Sequence, residues 1–139
     1  MISQLTVFLE NREGRLASAI RTIAEAGINM QAMFLADTKD FGILRIFCDT
    51  PEKACRILRE DYQAKLIDVV AVKVPNVPGS LSKLFDYLDD KDINVEYAHC
   101  FMVGDHAIDI LKVADPALDV KLAAEGFEVC KPEDVYALD

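Results

Sequence analysis

The chain has 139 residues, of which 52% are hydrophobic and 28% charged, and its formal net charge at pH 7 is -9. This composition is typical of a soluble globular protein, and the acidic balance makes nucleic acid and anionic membranes poor partners. No apolar run approaches the ~18 residues of a membrane span, and the first residues lack the features of a signal peptide, so we expect a cytoplasmic protein.

One pattern occurs twice at a constant offset of 65 positions. The stretch NREGRL begins at position 11 and NVPGSL at position 76, and 76 − 11 = 65. The same offset aligns these further pairs: Val7 with Val72, Ile28 with Ile93, Asn29 with Asn94, Asp40 with Asp105 and Pro51 with Pro116. An offset that continues this far without insertion favours duplication over coincidence. We therefore predict two domains, residues 1–67 and 68–139.

The first two elements of each copy follow from periodicity. Apolar residues alternate from Leu5 to Leu9, which indicates a strand with one face toward a core. From Leu16 to Ile23 the apolar spacing is four and then three, so these residues share one helix face. This helix is predicted to end near Gly27, a residue that favours a left-handed cap. The second copy repeats both patterns.

Two strands, a second helix and a short last strand complete each copy. Segments 28–36 and 42–48 are apolar and of strand length, and Pro51 lies where a helix begins. A last strand is predicted at 64–67. The counterparts in the second copy are 93–101, 107–113, Pro116 and 127–130. The order is βαββαβ in each copy, which predicts an α+β fold of two ferredoxin-like domains, each an antiparallel sheet with helices on one face.

Apolar residues lie on both predicted faces of each sheet. Simple alternation places Met33 and Leu35 on the face opposite to Met30 and Phe34. Either the sheets pack face to face within the chain, or this surface forms a homodimer.

The repeated loop connects the first strand to the first helix. Gly14 and Gly79 permit close approach of a ligand to the backbone, and the helix start presents free N–H groups and positive dipole charge. Asn11 and Asn76 add an amide that either caps the helix or contacts a ligand. We expect a β-branched residue at Gly79 to abolish ligand binding while leaving the fold largely intact.

The strand, the motif N-x-x-G-x-L, the amphipathic helix and the following I-N and apolar strand together resemble the ACT domain, a regulatory module of amino-acid metabolism. The resemblance covers the whole chain as a tandem pair. The second copy, NVPGSL followed by DIN, fits the family motif fully. The first copy, NREGRL followed by GIN, has Glu13 where the family prefers proline.

The resemblance implies that a small amino acid binds at the interface of paired ACT domains, between the loop after the first strand and the start of the second strand. The implied ligand-binding residues of the first copy are Asn11, Glu13, Gly14, Arg15, Leu16, Asn29 and Gln31. Those of the second copy are Asn76, Val77, Gly79, Ser80, Leu81, Asn94 and Glu96. Helix-start N–H groups suit a carboxylate, and side-chain oxygens suit an ammonium group.

Several of these residues have a purely structural alternative. The asparagines at 11 and 76 are equally suited to a turn or cap, and those at 29 and 94 to a strand edge. Leu16 and Leu81 are typical core residues, and Glu13 and Arg15 have the character of solvated loop charges.

An enzymatic function is not expected, and we predict no catalytic residue, no cofactor and no metal. His99 and Cys100 are neighbours on a strand and point to opposite faces, so they cannot form a catalytic dyad. The four cysteines have no zinc-ligand spacing and are expected to be reduced and mostly buried. An RNA-recognition module shares the βαββαβ order, but the third strands lack its basic and aromatic signature.

Two functional hypotheses remain. In the first, the protein is a free-standing sensor that binds an amino acid and signals to a metabolic enzyme or regulator. In the second, it docks permanently on a biosynthetic enzyme as a regulatory subunit and binds ligand weakly or not at all, as small ACT subunits do for acetolactate synthase.

Overall fold

The structure, a computed structural model, describes residues 1–37 and 40–136 and forms two compact units. The first unit contains residues 3–67 and the segment that begins at Pro132. The second unit contains Met1, Ile2 and residues 68–131. None of the helices in these described ranges is long and apolar enough to cross a membrane.

The order of elements confirms two βαββαβ repeats. In chain order the elements are β1 (Ile2–Glu10), α1 (Arg15–Glu25), β2 (Met30–Asp37), β3 (Phe41–Cys48), α2 (Pro51–Leu58), β4 (Gln63–Pro75), α3 (Ser80–Asp90), β5 (Val95–Val103), β6 (His106–Val113), α4 (Leu118–Ala124), β7 (Glu128–Val129) and α5 (Pro132–Val135). β4 closes the first repeat and opens the second.

The strands of each unit pair in the order that a ferredoxin-like fold requires. In the first unit the order is β2-β3-β1-β4, and β3 is antiparallel to both β1 and β2. In the second unit the order is β5-β6-β4-β7, with every pair antiparallel. β2 and β5 are therefore edge strands.

The core of each unit lies between one face of its sheet and its two helices. In the first unit Leu5 and Val7 of β1 are fully buried against Ala19 and Ile23 of α1 and Leu58 of α2. This packing arises because every second residue of the strand is apolar and faces the helices, while apolar residues about four apart on each helix face the strand. The second unit repeats it, with a core formed by these residues: Val70, Val72, Val74, Leu84, Leu88, Leu111, Leu118 and Leu122.

A β-bulge interrupts each edge strand at the same relative position. The register shifts between Met30 and Ala32 in β2 and between Val95 and Tyr97 in β5. The extra residue places Met30 and Met33 on the same face, where they pair with Cys48 and Ile46; Met30 packs against the core and Met33 is 46% exposed. The prediction that these two methionines face opposite sides is therefore wrong, because simple alternation cannot include an inserted residue.

Three smaller expectations also differ from the structure. The strands predicted separately on either side of residue 67 are one continuous strand, β4. Pro116 lies in the turn before α4, which begins at Leu118, whereas Pro51 does start α2. The cysteines are less buried than expected, since Cys100 is exposed and Cys130 half-buried, while those at 48 and 55 are buried.

β6 carries a carboxylate into the core of the second unit. Asp109 is 3% exposed and lies on the strand face that also presents the core residues Ala107 and Leu111. Its Oδ2 is buried and has no hydrogen-bond partner among the described residues. Burial of the carboxyl group raises the pKa of Asp109 to about 6. The corresponding residue of the first unit is Leu44, fully buried, so only the second copy has a polar group here.

Replacing Asp109 by leucine, the residue of the first copy, should stabilise the protein at pH 7. Raising a carboxyl pKa from 3.8 to about 6 costs roughly 3 kcal/mol once the group is ionised, at about 1.36 kcal/mol per pKa unit. The folded state keeps the proton that the unfolded state has released, so wild-type stability falls as pH rises through this window. Urea denaturation between about pH 4 and pH 8 should show this fall in the wild type and not in Asp109→Leu.

Asp115→Asn is a control in which the pH dependence of stability should change in the opposite direction. A hydrogen bond from Lys121 lowers the pKa of Asp115, so this carboxylate contributes stability that is lost as pH falls. Parallel stability profiles for the wild type and Asp109→Leu would contradict the assigned cost of the buried carboxylate.

Candidate functional site

The two copies of the repeated loop have the same backbone hydrogen bonds. The Asn11 N–H donates to the Asp40 carbonyl at 3.2 Å, and the Asn76 N–H donates to the Asp105 carbonyl at 3.0 Å. The first full helical turn is closed by Ser18 N–H to Gly14 oxygen at 2.9 Å and by Lys83 N–H to Gly79 oxygen at 3.0 Å. Glu13 in place of proline therefore leaves the bonding of the first loop unchanged.

Gly14 and Gly79 are required by backbone conformation and not by a close contact within the chain. Their φ angles are 81° and 91°, in the left-handed region that residues with a Cβ rarely adopt. A Cβ built on either glycine would meet nothing within 4 Å. As N-cap residues they supply no side-chain oxygen to the first N–H groups of α1 and α3. The expectation that a β-branched residue at 79 leaves the fold intact is corrected accordingly.

The predicted site residues are almost all accessible. They are exposed, apart from three that are half-buried, namely Arg15, Leu16 and Ser80. Leu16 packs against the core of the first unit, but its counterpart Leu81 is 40% exposed. The structural alternative for Leu81, a core residue, is therefore wrong.

Each unit separates the predicted residues into two groups at opposite ends of its sheet. The first loop bonds to Asp40, beside the β2–β3 connection. Asn29 lies at the other end, where its carbonyl accepts the Asp49 N–H at 3.1 Å, next to the pairing of Met30 with Cys48. The length of α1 separates the two ends. Because α1 has 11 residues and is about 16 Å long, the two groups of one unit cannot contact the same small ligand.

The strand-start group includes the two bulge residues. Gln31 lies between the paired residues Met30 and Ala32, and Glu96 lies between Val95 and Tyr97. Bulges turn side chains away from the regular alternation of a strand and are frequent beside binding sites. Alternation alone cannot predict this orientation.

A large open cavity of about 730 Å³ lies at the strand-start end of the second unit. Its lining includes Asn94 and Glu96 together with residues of α3, α4 and the turn before α4. The acidic residues of this lining are Asp92, Glu96, Asp115 and Glu125, and the basic residues are Lys91 and Lys121. Lys121 Nζ already donates to Asp115 Oδ2 at 2.5 Å. The remaining carboxylates favour a cationic group such as an ammonium.

Asp92 gives this cavity an unusual backbone position. Its φ is 54°, the only positive value for a non-glycine residue in the described part of the chain. The first copy has Gly27 at the corresponding position, with φ 74°. A side chain in this conformation is disfavoured and often marks a functional region, so Asp92 joins the candidate residues.

A second cavity, of about 360 Å³, lies at the loop end of the first unit and contains Arg15. The Arg15 guanidinium carbon is 4.4 Å from the centre of the Tyr62 ring, and Nη2 is 3.5 Å from the Asp61 carbonyl oxygen. Tyr62 is held in place because its hydroxyl donates to Ser18 Oγ at 2.8 Å. The other lining residues are Phe8, Glu10, Phe41 and Gln63.

The comparisons with known proteins decide the family. The sequence profile of the ACT domain pair matches residues 1–125. The chain belongs to the ACT domain pair family. It is thus an ACT-type regulatory module with two ferredoxin-like domains, as the residue pattern predicts.

Solved structures agree with this assignment. The chain is similar to protein BT0572 from Bacteroides thetaiotaomicron, with 31% identity, a TM-score of 0.91, and coverage of 97% of this chain and 95% of that one. It also shares its fold with the regulatory subunit of aspartate kinase from Thermus thermophilus, at 17% identity, TM-score 0.65, and coverage of 89% and 90%. The corresponding subunit from Thermus flavus is 16% identical to this chain, with a TM-score of 0.60 and coverage of 88% of each chain. None of the curated proteins is significantly similar to this chain.

Sequence reasoning missed the aromatic residues of the loop-end cavity. The offset of 65 aligns Tyr62 with Phe127, and both lie beside the first turn of a helix, Tyr62 at Ser18 and Phe127 near Lys83. This repeated aromatic position was the available signal. Among the described residues, no group of three or more His, Cys, Asp or Glu side chains is arranged to hold a metal ion.

The conformation of Gly79 yields a test that separates backbone strain from lost packing. Gly79→Asn should destabilise the protein by about 1 kcal/mol, since asparagine tolerates the left-handed region, and Gly79→Val by about 2 kcal/mol or more. Thermal and urea denaturation would measure both. Ser80→Ala is the neighbouring control and should change stability little. Equal effects of valine and asparagine would show that φ does not determine the choice of glycine.

Proposed function

We propose that this ACT domain pair, with domains at residues 1–67 and 68–139, is a non-catalytic cytoplasmic protein that binds a free amino acid and signals to a metabolic enzyme or regulator. The observation that carries the proposal is the loop that occurs twice with the same hydrogen bonds, each time opening a helix on a left-handed glycine. The two loops keep the same backbone geometry although their side chains differ. This supports a role of the loop backbone in ligand binding.

The chemistry of the two groups of residues suits an amino acid. The N–H groups at the starts of α1 and α3 favour a carboxylate. The strand-start group supplies oxygens from Asn94, Glu96 and Asp92, which favour an ammonium group. In ACT domains the ligand lies between paired domains, and the separation of the two groups within each unit fits a site that needs two domains.

Edge-strand residues support a homodimer. Met33, Phe34 and Leu35 of the edge strand β2 are 46%, 42% and 42% exposed. An exposed apolar edge strand is a template for pairing with another chain. The same surface fits the alternative function, a regulatory subunit docked on a biosynthetic enzyme. The two Thermus proteins are regulatory subunits of aspartate kinase.

A ligand screen separates the two functions. We expect at least one standard amino acid at millimolar concentration to raise the melting temperature by several degrees. A ligand that binds only the folded state stabilises it by RT ln(1 + [L]/Kd), about 2.7 kcal/mol at a hundredfold excess over Kd. Differential scanning fluorimetry measures the shift, and titration calorimetry gives the Kd. The absence of any shift and of any binding heat would contradict the sensor function and favour docking.

The homodimer has its own test. Leu35→Lys places a charge on the exposed edge and should shift the protein from dimer to monomer in sedimentation equilibrium. Val120→Lys is the matched control, because Val120 is an apolar residue that is 69% exposed and belongs to α4 and not to a strand. A monomeric wild type, or a Leu35→Lys protein that remains dimeric, would contradict an interface at β2.

A further inference from the structure

Arg15 has donor capacity that the chain does not use. Its Nε is buried, and no hydrogen-bond partner for it occurs among the described residues. Its Nη2 has a long contact of 3.5 Å to the Asp61 carbonyl oxygen. An unpaired buried donor is unfavourable, and a guanidinium edge can donate two parallel hydrogen bonds to one carboxylate. The arrangement therefore suits a bound carboxylate that the protein itself does not supply.

The walls around Arg15 are aromatic. Tyr62 stacks under the guanidinium, and Phe8 and Phe41 also line the cavity. Phe41 is 55% exposed, a large apolar surface to leave in water. The cavity volume of about 360 Å³ lies within the range of small-molecule sites, which are about 300–1,000 Å³. Apolar walls with one cation favour a ligand that is apolar at one end and anionic at the other.

The lining also contains carboxylates that suit an ammonium group. Glu10 and Asp61 are both exposed residues of the same cavity. Glu10 already accepts from Arg12 Nε at 3.2 Å on the surface, a pair that is solvated and weak. An α-amino acid carries the ammonium beside its carboxylate, so it matches both kinds of group.

The second unit does not repeat most of the residues that line this cavity. The offset of 65 puts Ser80 at the position of Arg15 and His106 at that of Phe41. The positions of Phe8 and Gln63 are taken by Lys73 and Glu128, whose charged atoms are 4.0 Å apart. Of the aromatic positions, only that of Tyr62 has an aromatic counterpart in the second unit, Phe127. The second unit has an open cavity of about 390 Å³ beside Phe127, lined by Gly79, Lys83 and Tyr87, but without counterparts of Arg15 and Phe41.

We infer that the loop-end cavity of the first unit is the selective ligand pocket, in which Arg15, stacked on Tyr62, binds the carboxylate of a free amino acid with an apolar side chain lying against Phe8 and Phe41. This inference rests on the proposed function and adds to it the class of ligand and the copy of the repeat that binds it. The second loop keeps the backbone geometry but has Ser80 in place of the arginine.

The test removes the carboxylate from the ligand and the guanidinium from the protein separately. Calorimetry with wild type should give binding of L-phenylalanine or L-leucine, with L-phenylalaninamide and L-leucinamide weaker by about tenfold or more, since a hydrogen bond between charged groups is lost. L-Serine and L-aspartate should bind more weakly than the apolar amino acids. In Arg15→Gln the acid and the amide should bind equally.

Matched variants control for the fold and for general electrostatics. Lys83→Gln removes the corresponding cation over an aromatic ring of the second unit, where Nζ lies 5.9 Å from the centre of the Phe127 ring. It should retain the wild-type discrimination between acid and amide. Arg15→Lys keeps the charge and should retain part of it. Melting temperatures of all variants establish that each is folded.

A direct reading comes from the Arg15 Nε–H resonance in a ¹H–¹⁵N spectrum of the wild type. Ligand addition should shift this resonance with the same Kd as calorimetry gives. If an amino acid binds but Arg15→Gln discriminates as the wild type does, the pocket assignment is wrong and the proposed function stands. If the best ligand is polar, the assigned ligand class is wrong. If no amino acid binds wild type, the proposed function fails and this inference with it.

Discussion

The hydrogen bond from the loop amide to the hairpin carbonyl is the constraint on which each functional end of this protein depends. The chain leaves β1 at Glu10 and must reverse direction to start a helix above the sheet. A left-handed glycine makes the reversal, and the bond from Asn11 to Asp40 ties the loop to the β2–β3 connection. The first helical residue, Arg15 in one copy and Ser80 in the other, is then fixed in space.

The topology of the βαββαβ unit keeps loop and strand start apart. Because α1 returns the chain over the sheet, β2 begins at the end opposite to the loop. The amide and carboxylate groups near Asn29 and Asn94 therefore cannot reach the helix start of their own unit.

Much of the fold could be predicted from the sequence because it depends on local patterns. The constant offset, the period of two before each loop and the helical spacing after it identify both repeats, and the glycine and N-x-x-G-x-L motif locate the loops. The bulges at Gln31 and Glu96 could not be predicted, because an inserted residue leaves no mark on an apolar strand. The cavity around Arg15 was also missed, since Tyr62 and Phe41 reach it from distant parts of the chain.

The residues at which the two copies differ have different effects on the free energy of unfolding. In the first unit, Leu35 pairs with Leu44 across β2 and β3, and the second unit has Cys100 and Asp109 at the same pair of positions. A buried carboxylate with a pKa near 6 costs roughly 3 kcal/mol at neutral pH, a large part of a small domain's stability. Arg15 in place of Ser80 leaves a buried, unpaired Nε in the free protein, an unfavourable state that the proposed carboxylate ligand would relieve. The loop can therefore diverge with its ligand, whereas Asp109 must be offset elsewhere in its unit.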